Sequence, residues 1–346
     1  MDQGHQAIQK PMGPRDMSDL DFKKYRLIKG HGLTFPVPLI ERLRAAQRLP
    51  QAVVKVLSYA HGTKGVKSSI DYISREGTLP LETESGDIIQ GREEQNALVQ
   101  NWSRDFGTRK NNRDSVHIAF SMPKGSNPEA LRKAVRKVLS TNFQDHESVF
   151  TIHKDTAYPH AHTIIKMRSR ETGKQLRINQ PEIHQLREAF AEAAREQGVH
   201  LGASPRAARG VGQKGTRQAI HHLRRRGIVP KVDKQAVEEA IQGVERGSWQ
   251  EKVWEQAMRE RNERERKAYL SEAQRLRAAA AQENIAKDQK TQESFRKAAA
   301  DLERFSREMP HPKSRRQILM EKIGKHLGIR NPREIYRLSR DEEMER

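Results

Sequence analysis

The spacing of apolar residues changes character along the chain. From residue 51 to about 210 it is dense enough to build a core. Gln51–Tyr59 (QAVVKVLSY) is rich in β-branched residues and reads as a strand, and Ser115–Met122 (SVHIAFSM) alternates in strand fashion. Ser148–His153 and His160–Met167 read as two further strands. Gly62–Gly65 (GTKG) reads as a turn. Lys67–Arg75 suits a short helix with Ile70 and Ile73 inward, and Leu98–Phe106 suits a helix carrying Trp102. Asn127–Asn142 is a clearer helix. Asn127 can cap it, Pro128 occupies its first turn, and Leu131, Val135, Val138 and Leu139 form its apolar stripe. A further helix runs from about Pro181 to Gln197. The order β-α-α-β-α-β-β-α, with two adjacent strands joined tightly, predicts an α+β fold. Its central sheet is expected to be largely antiparallel and flanked by helices on one side.

The flanks follow other rules. In residues 1–50, Met12–Gly13–Pro14, Gly30, Gly32, Pro36 and Pro38 interrupt any long element, and only Ile40–Leu49 suits a short amphipathic helix. This region is expected to be an arm. Residues 201–232 hold eight Lys/Arg, no Asp or Glu, and several glycines, so the segment repels itself until it meets a polyanion. Residues 248–309 contain neither Gly nor Pro and favour a long helix, ended by Pro310 and Pro312. Residues 318–338 suit a small helical pair punctuated by Gly328 and Pro332. The expected organisation is an arm over 1–50, a folded domain over 51–212, a basic linker over 213–234 and a mostly α-helical C-terminal region over 235–346.

Composition narrows the function. Of 346 residues, 65 are Lys or Arg and 45 are Asp or Glu, a formal charge of +20. Such a balance points to a polyanionic partner. No apolar run approaches the roughly 18 residues of a membrane helix, so no membrane insertion is expected. The N-terminus lacks the apolar stretch of a secretory signal. Cysteine is absent, which excludes disulfides, thiolate metal sites and cysteine nucleophiles. Any metal must be held by His, Asp or Glu.

The informative stretch is His153–Lys154–Asp155–Thr156–Ala157–Tyr158–Pro159–His160–Ala161–His162. Residues two apart in a strand project from the same face, so His160 and His162 do. A connection containing Pro159 turns the chain back and brings His153, the end of the preceding strand, beside them. Three imidazoles then face one point and leave open positions for substrate oxygens. Asp155 is close enough to orient one imidazole or to act as a base. His117 and Ser121 share one face of their own strand.

In that stretch the pattern H-x-D-x-x-x-P-H-x-H, followed by an apolar strand, resembles the third motif of conjugative relaxases. These are mobilisation nucleases of the His–hydrophobic–His (HUH) superfamily. The P-type class, which includes the T-DNA border endonucleases of plant-tumour plasmids, is the closer match. Gly62–Thr63–Lys64 with Asp71–Tyr72–Ile73–Ser74–Arg75 resembles the first motif. His117–Ile118–Ala119–Phe120–Ser121–Met122–Pro123–Lys124–Gly125 resembles the second, and Arg206–Ala207–Ala208–Arg209–Gly210 a later segment. The resemblance spans about residues 51–212.

It implies a relaxase palm-like domain that nicks and rejoins one DNA strand at a plasmid or integrative-element origin of transfer, through a 5′-phosphotyrosyl link. Tyr72 maps onto the nucleophile, with Tyr158 its main competitor. The three histidines, His153, His160 and His162, map onto a divalent-metal site for Mg2+ or Mn2+, with Asp155 as a further catalytic residue. A phenol, with a pKa near 10, needs such activation to attack at neutral pH. Lys64, Arg75, His117, Ser121, Arg206, Arg209, Lys214, Arg224, Arg225 and Arg226 are the expected DNA contacts. Implied partners are relaxosome accessory proteins, a coupling protein and a type IV secretion channel. The implied location is the bacterial cytoplasm, with passage into the recipient cell along with the DNA.

Three features depart from the family pattern. About 50 extra residues precede the tyrosine region, Met167–Arg168 follows Lys166 where the T-DNA border endonucleases have Asn–Arg, and the C-terminal third shows none of the motifs that carry the resemblance. Three other readings stand beside the relaxase. In a rolling-circle replication initiator the tyrosine normally follows the His pair. An accessory DNA-binding protein would give the clustered histidines no role. A zinc hydrolase of small molecules would be expected to carry a Glu beside its histidines.

Overall fold

The computed structural model describes residues 37–108, 112–211, 218–245, 251–282, 285 and 287–326. It separates into two compact units. One is built from Gln47–Ser204, and the other from Pro205 onward together with the segment ending at Ala46.

The first unit is a six-stranded sheet. Its strands are β1 (Val53–Ala60), β2 (Leu81–Thr83), β3 (Ile88–Ile89), β4 (Ser115–Ser121), β5 (Ser148–His153) and β6 (His160–Lys166). Their order is β1-β4-β6-β5-β2-β3, and every neighbouring pair is antiparallel. The α+β expectation holds, but helices cover both faces rather than one. Numbering the helices from α1 (Leu39–Ala46), α2 (Gly62–Ser74) and α3 (Gly91–Ser103) lie on one face, and α4 (Pro128–Asn142) and α5 (Gln180–Glu196) on the other.

Two apolar layers explain this. Val116, Ile118 and Phe120 of β4, with Phe150, Ala161 and Ile165, pack against Leu131, Val135, Val138 and Leu139 of α4 and Leu186 and Phe190 of α5. On the opposite face Val149 and Ile164 meet Val66, Ile70 and Ile73 of α2 and Val99 and Trp102 of α3. β4 and β6 are covered on both faces, their apolar residues interrupted by the polar side chains of His117, Ser121, His160 and His162.

The ends of the helices are set by specific bonds. The Asn127 side chain accepts from the Glu129 N–H at 2.9 Å and starts α4. GTKG is not a turn. It forms the first turn of α2, and the Gly62 N–H, on a residue with φ +62°, donates to Asp114 Oδ2 at 2.7 Å. At its other end α2 stops where Arg75, Glu76 and Gly77 all adopt left-handed backbone.

In the second unit the expected long helix over 248–309 is two antiparallel helices, α8 (Val253–Ala280) and α9 (Gln289–Glu308), preceded by α6 (Gln218–Arg225) and α7 (Lys231–Glu245) and followed by α10 (Arg315–His326). Asp288 starts the second of the pair by accepting from the Thr291 N–H at 3.2 Å, and Gln292 Nε2 donates to the Ala280 carbonyl at the end of the first at 3.0 Å. Within this unit α1 is packed rather than extended. Arg42 donates to Glu265 at 2.8 Å, its guanidinium lies 5.0 Å from the centre of the Tyr269 ring, and the Tyr269 hydroxyl donates to the Ala208 carbonyl at 2.9 Å. No described helix is long and apolar enough to cross a membrane.

Phe190 is fully buried and meets Phe120 edge-on at 5.2 Å. Truncating such a ring removes its transfer energy and leaves a cavity. Phe190→Ala is expected to cost about 3–5 kcal/mol in urea unfolding. Leu57→Ala on the outer edge strand, at a residue 47% exposed, should change stability by no more than about 0.5 kcal/mol.

Candidate active site

The strand register assembles the site. Ser121 pairs with His160, and His160 with His153, so these three form one row across β4, β6 and β5. Ala119, His162 and Thr151 form the next row, and His117, Ile164 and Val149 lie one residue pair further along. Paired residues share a face in an antiparallel sheet. The four histidines therefore lie on one face, with the end of α2 above them.

The ring centres of His153, His160 and His162 are separated by 4.6–5.4 Å. One nitrogen can be chosen from each so that all three lie within 4.8 Å of one another. On each ring one nitrogen is already engaged. His153 Nε2 lies 2.8 Å from the Ile73 carbonyl, His160 Nδ1 lies 3.1 Å from the Tyr158 carbonyl, and His162 Nδ1 lies 2.8 Å from His117 Nε2. A carbonyl only accepts, so His153 and His160 carry their protons on those nitrogens. Their other nitrogens keep free lone pairs.

Burial pushes His162 down to about 3, helped by His117 and His153, and pushes His117 down to about 4. Burial also lowers His153. An imidazole tied through one nitrogen, with the lone pair of the other unused, is what a divalent metal requires. The donor set thus fits a divalent metal ion, which His153, His160 and His162 would hold.

Tyr72 stands on the exposed side of α2 and is 64% exposed. Its ring meets His162 edge-on at 5.8 Å and His117 at 6.0 Å. Its neighbour Ile73 is buried beneath it and supplies the carbonyl that holds His153. Tyr158, also exposed, lies in the β5–β6 connection and serves His160 through its backbone.

Asp155 accepts from Arg75 Nη2 at 2.5 Å, across from the end of α2. That bond holds its carboxyl below the usual carboxylate range. The imidazoles are oriented by Ile73, Tyr158 and His117, and none of them is hydrogen-bonded to Asp155. A groove runs on from His153 between β5, β2 and the start of α4, lined by Arg75, Asp155, Lys154 and Arg132.

Of the remaining expected contacts, Ser121 lies half-buried beside His160, Lys64 is exposed on the first turn of α2, and His117 is buried. Arg206 and Arg209 belong to the second unit, at a 3-10 turn over Ala207–Arg209. There Arg224 makes a two-pronged pair with Asp233, both bonds at 2.8 Å, while Arg225 and Arg226 are exposed. Lys214 lies outside the described residues. Sequence reasoning missed the Ile73 and Tyr158 carbonyls, which carry no signal in residue identity. It also missed the pairing of His117 with His162, which needs the β4–β6 register.

Comparison with known proteins agrees with the motifs. Residues 75–199 match the family model described as Relaxase: MobA/VirD2-like, nuclease domain. That stretch contains His117, Ser121, His153, Asp155, His160 and His162, and Tyr72 lies just before it. The T-DNA border endonuclease VirD2 of Rhizobium radiobacter is 24% identical over 205 residues, 53% of this chain and 48% of that protein. The VirD2 proteins of Agrobacterium fabrum (strain C58) and Rhizobium rhizogenes are each 25% identical, over 47% and 46% of this chain and 42% of their own lengths. The chain therefore spans about half the length of the curated relatives it matches. No solved structure matches.

A ligand that binds only the folded state raises stability by mass action, about 2.7 kcal/mol at a hundred times its dissociation constant. Mn2+ is expected to raise the melting temperature of the full chain, and His160→Ala to abolish the rise. Differential scanning calorimetry with and without the ion checks this.

Proposed function

We propose that this chain, whose residues 75–199 carry a MobA/VirD2-like relaxase nuclease domain, nicks and rejoins one strand of DNA at an origin of transfer. Tyr72 is the nucleophile. The observation that carries the reading is an exposed tyrosine held edge-on over clustered imidazoles, 5.8 Å from His162.

His153, His160 and His162 would hold a divalent cation, Mg2+ or Mn2+, and a cation bound there would supply electrostatic stabilisation of the charge that develops on the scissile phosphate. The Tyr72 hydroxyl attacks phosphorus, the bond to the 3′ oxygen breaks, and the 5′ side stays on the tyrosine. The tyrosine loses its proton and the departing 3′ oxygen gains one. The phosphodiester energy is kept in the new ester, so a 3′-OH can reverse the step and reseal the strand.

Lys64 on the first turn of α2 and Arg75 just past its last meet phosphates, and Ser121 beside His160 positions the strand. Asp155 holds Arg75 at the mouth of the cleft. Asp155 is the carboxylate assigned to take the tyrosine proton. Arg206, Arg209, Lys214, Arg225 and Arg226 add sequence-independent affinity, in keeping with the charge of +20. The protein acts in the bacterial cytoplasm with relaxosome accessory proteins. It then passes with its DNA through a coupling protein and a type IV secretion channel.

The test is cleavage of supercoiled plasmid carrying the DNA adjacent to the gene, resolved on denaturing gels after protease treatment. We expect a nick that needs divalent metal, leaves protein on the 5′ end, disappears in Tyr72→Phe and persists in Tyr158→Phe. Nicking lost in Tyr158→Phe and kept in Tyr72→Phe moves the nucleophile. DNA bound but uncut under every metal removes the enzyme and leaves a binding protein.

A further inference from the structure

We propose that His117 is a positioning residue of the metal centre, not a DNA contact: its Nε2 accepts the Nδ1–H of His162, which turns the His162 Nε2 lone pair toward the cleft beneath Tyr72. The inference rests on the metal reading above and names the part that completes it.

The three imidazoles of the cluster are not supported alike. His153 and His160 point their second nitrogens at backbone carbonyls, which only accept, so their tautomers follow from the fold. His162 has no carbonyl. Its Nδ1 faces another imidazole, His117, at 2.8 Å. Two neutral imidazoles joined by one hydrogen bond can arrange their protons in two ways. If His117 Nε2 donates, His162 must carry its proton on Nε2 and has no lone pair left for a metal. If His162 Nδ1 donates, Nε2 of His162 is free. Only the second arrangement makes His162 a ligand. It requires His117 to carry its own proton on Nδ1 and to offer Nε2 as an acceptor.

Burial argues the same way. His117 is 6% exposed and His162 is 7% exposed, so His117 has little surface to offer a DNA strand. Its Nε2 is already occupied. The His117 ring also meets Tyr72 edge-on at 6.0 Å, so one side chain touches both the nucleophile and a ligand. The register that brings it there runs along β4 and β6, where His117 lies one alternate position beyond the partner of His162. Partners of this kind, bonded to a metal-bound histidine through its second nitrogen, affect metal affinity by about 10- to 100-fold.

The experiment is Mn2+ binding to the full chain, followed by the electron-paramagnetic-resonance signal of the free ion, with no DNA present. Wild type should bind the ion, and His160→Ala should lose it. His117→Phe keeps the volume, removes the acceptor, and should weaken binding about 10- to 100-fold. His117→Gln, whose amide oxygen still accepts, should recover most of the loss. In EDTA, the affinity of His117→Phe for a single-stranded origin oligonucleotide should stay within about twofold of wild type, as expected where phosphate contacts elsewhere set it. If the Phe variant lacks a cooperative melt, His117→Leu takes its place with the same expectations. Wild-type Mn2+ affinity without an acceptor at 117, while His160→Ala abolishes binding, overturns the proposal and leaves the metal site standing. Loss of metal-free DNA affinity with unchanged Mn2+ binding also overturns it, and returns His117 to the DNA contacts. Mn2+ binding that survives His160→Ala overturns the metal reading and this inference together.

Discussion

The register of β6 between β4 and β5 is the constraint on which the site depends. Successive residues of a strand face opposite ways, so a slip of one position would turn His160 and His162 into the layer of Phe120 and Phe190. What prevents the slip is apolar. Ala161 and Ile165 are fixed among the side chains of α4 and α5, and Ile164 is fixed with Val149 beneath Ile70 and Ile73. With both faces of β6 buried, the only register that satisfies both layers is the one that presents the imidazoles. The polar chemistry of the site is thus held in place by hydrophobic burial, which is non-directional but unforgiving of misplacement.

A second constraint couples the helix to the strands. α2 reaches the site through the layer of Val66, Ile70 and Ile73, and its last turn touches β5 through the Ile73 carbonyl and His153. The left-handed residues Arg75 and Glu76 stop the helix at that point and send Arg75 toward Asp155. Tyr72 inherits its position from this packing. An exposed tyrosine on a surface helix is ordinarily mobile. Here the helix beneath it is anchored both in the core and to a ring of the cluster.

Much of this was legible in the amino-acid sequence, because the periods of strands and helices are short. A period of two is enough to put His160 beside His162 and His117 beside Ser121 on one face. It does not say which residues meet across strands, so the bond between His117 and His162 stayed hidden and His117 read as a DNA contact. The apolar residues of α2 and α3 were visible, but nothing local assigns a helix to one face of a sheet, and the helices proved to cover both. GTKG reads as a turn on glycine content alone. Asp114, far along the chain, makes it a helix start by taking the Gly62 N–H. The run over 248–309 lacks Gly and Pro and reads as a single helix. Asp288 starts a second helix and Gln292 bonds the end of the first, and both look like ordinary surface residues until the chain folds back. Arg224 shows the same limit, since its partner Asp233 is on the next helix.

The cluster uses two kinds of acceptor, and they differ in what inheritance can alter. A main-chain carbonyl exists whatever residue carries it. The codons for Ile73 and Tyr158 can drift among residues that fit their surroundings without removing the groups that hold His153 and His160. The group that holds His162 belongs to a side chain, and most single-base changes at that codon delete it. Mutational risk among these supports is therefore concentrated at one position. A survey of natural variants that looked only at the ligands and the nucleophile would pass over it.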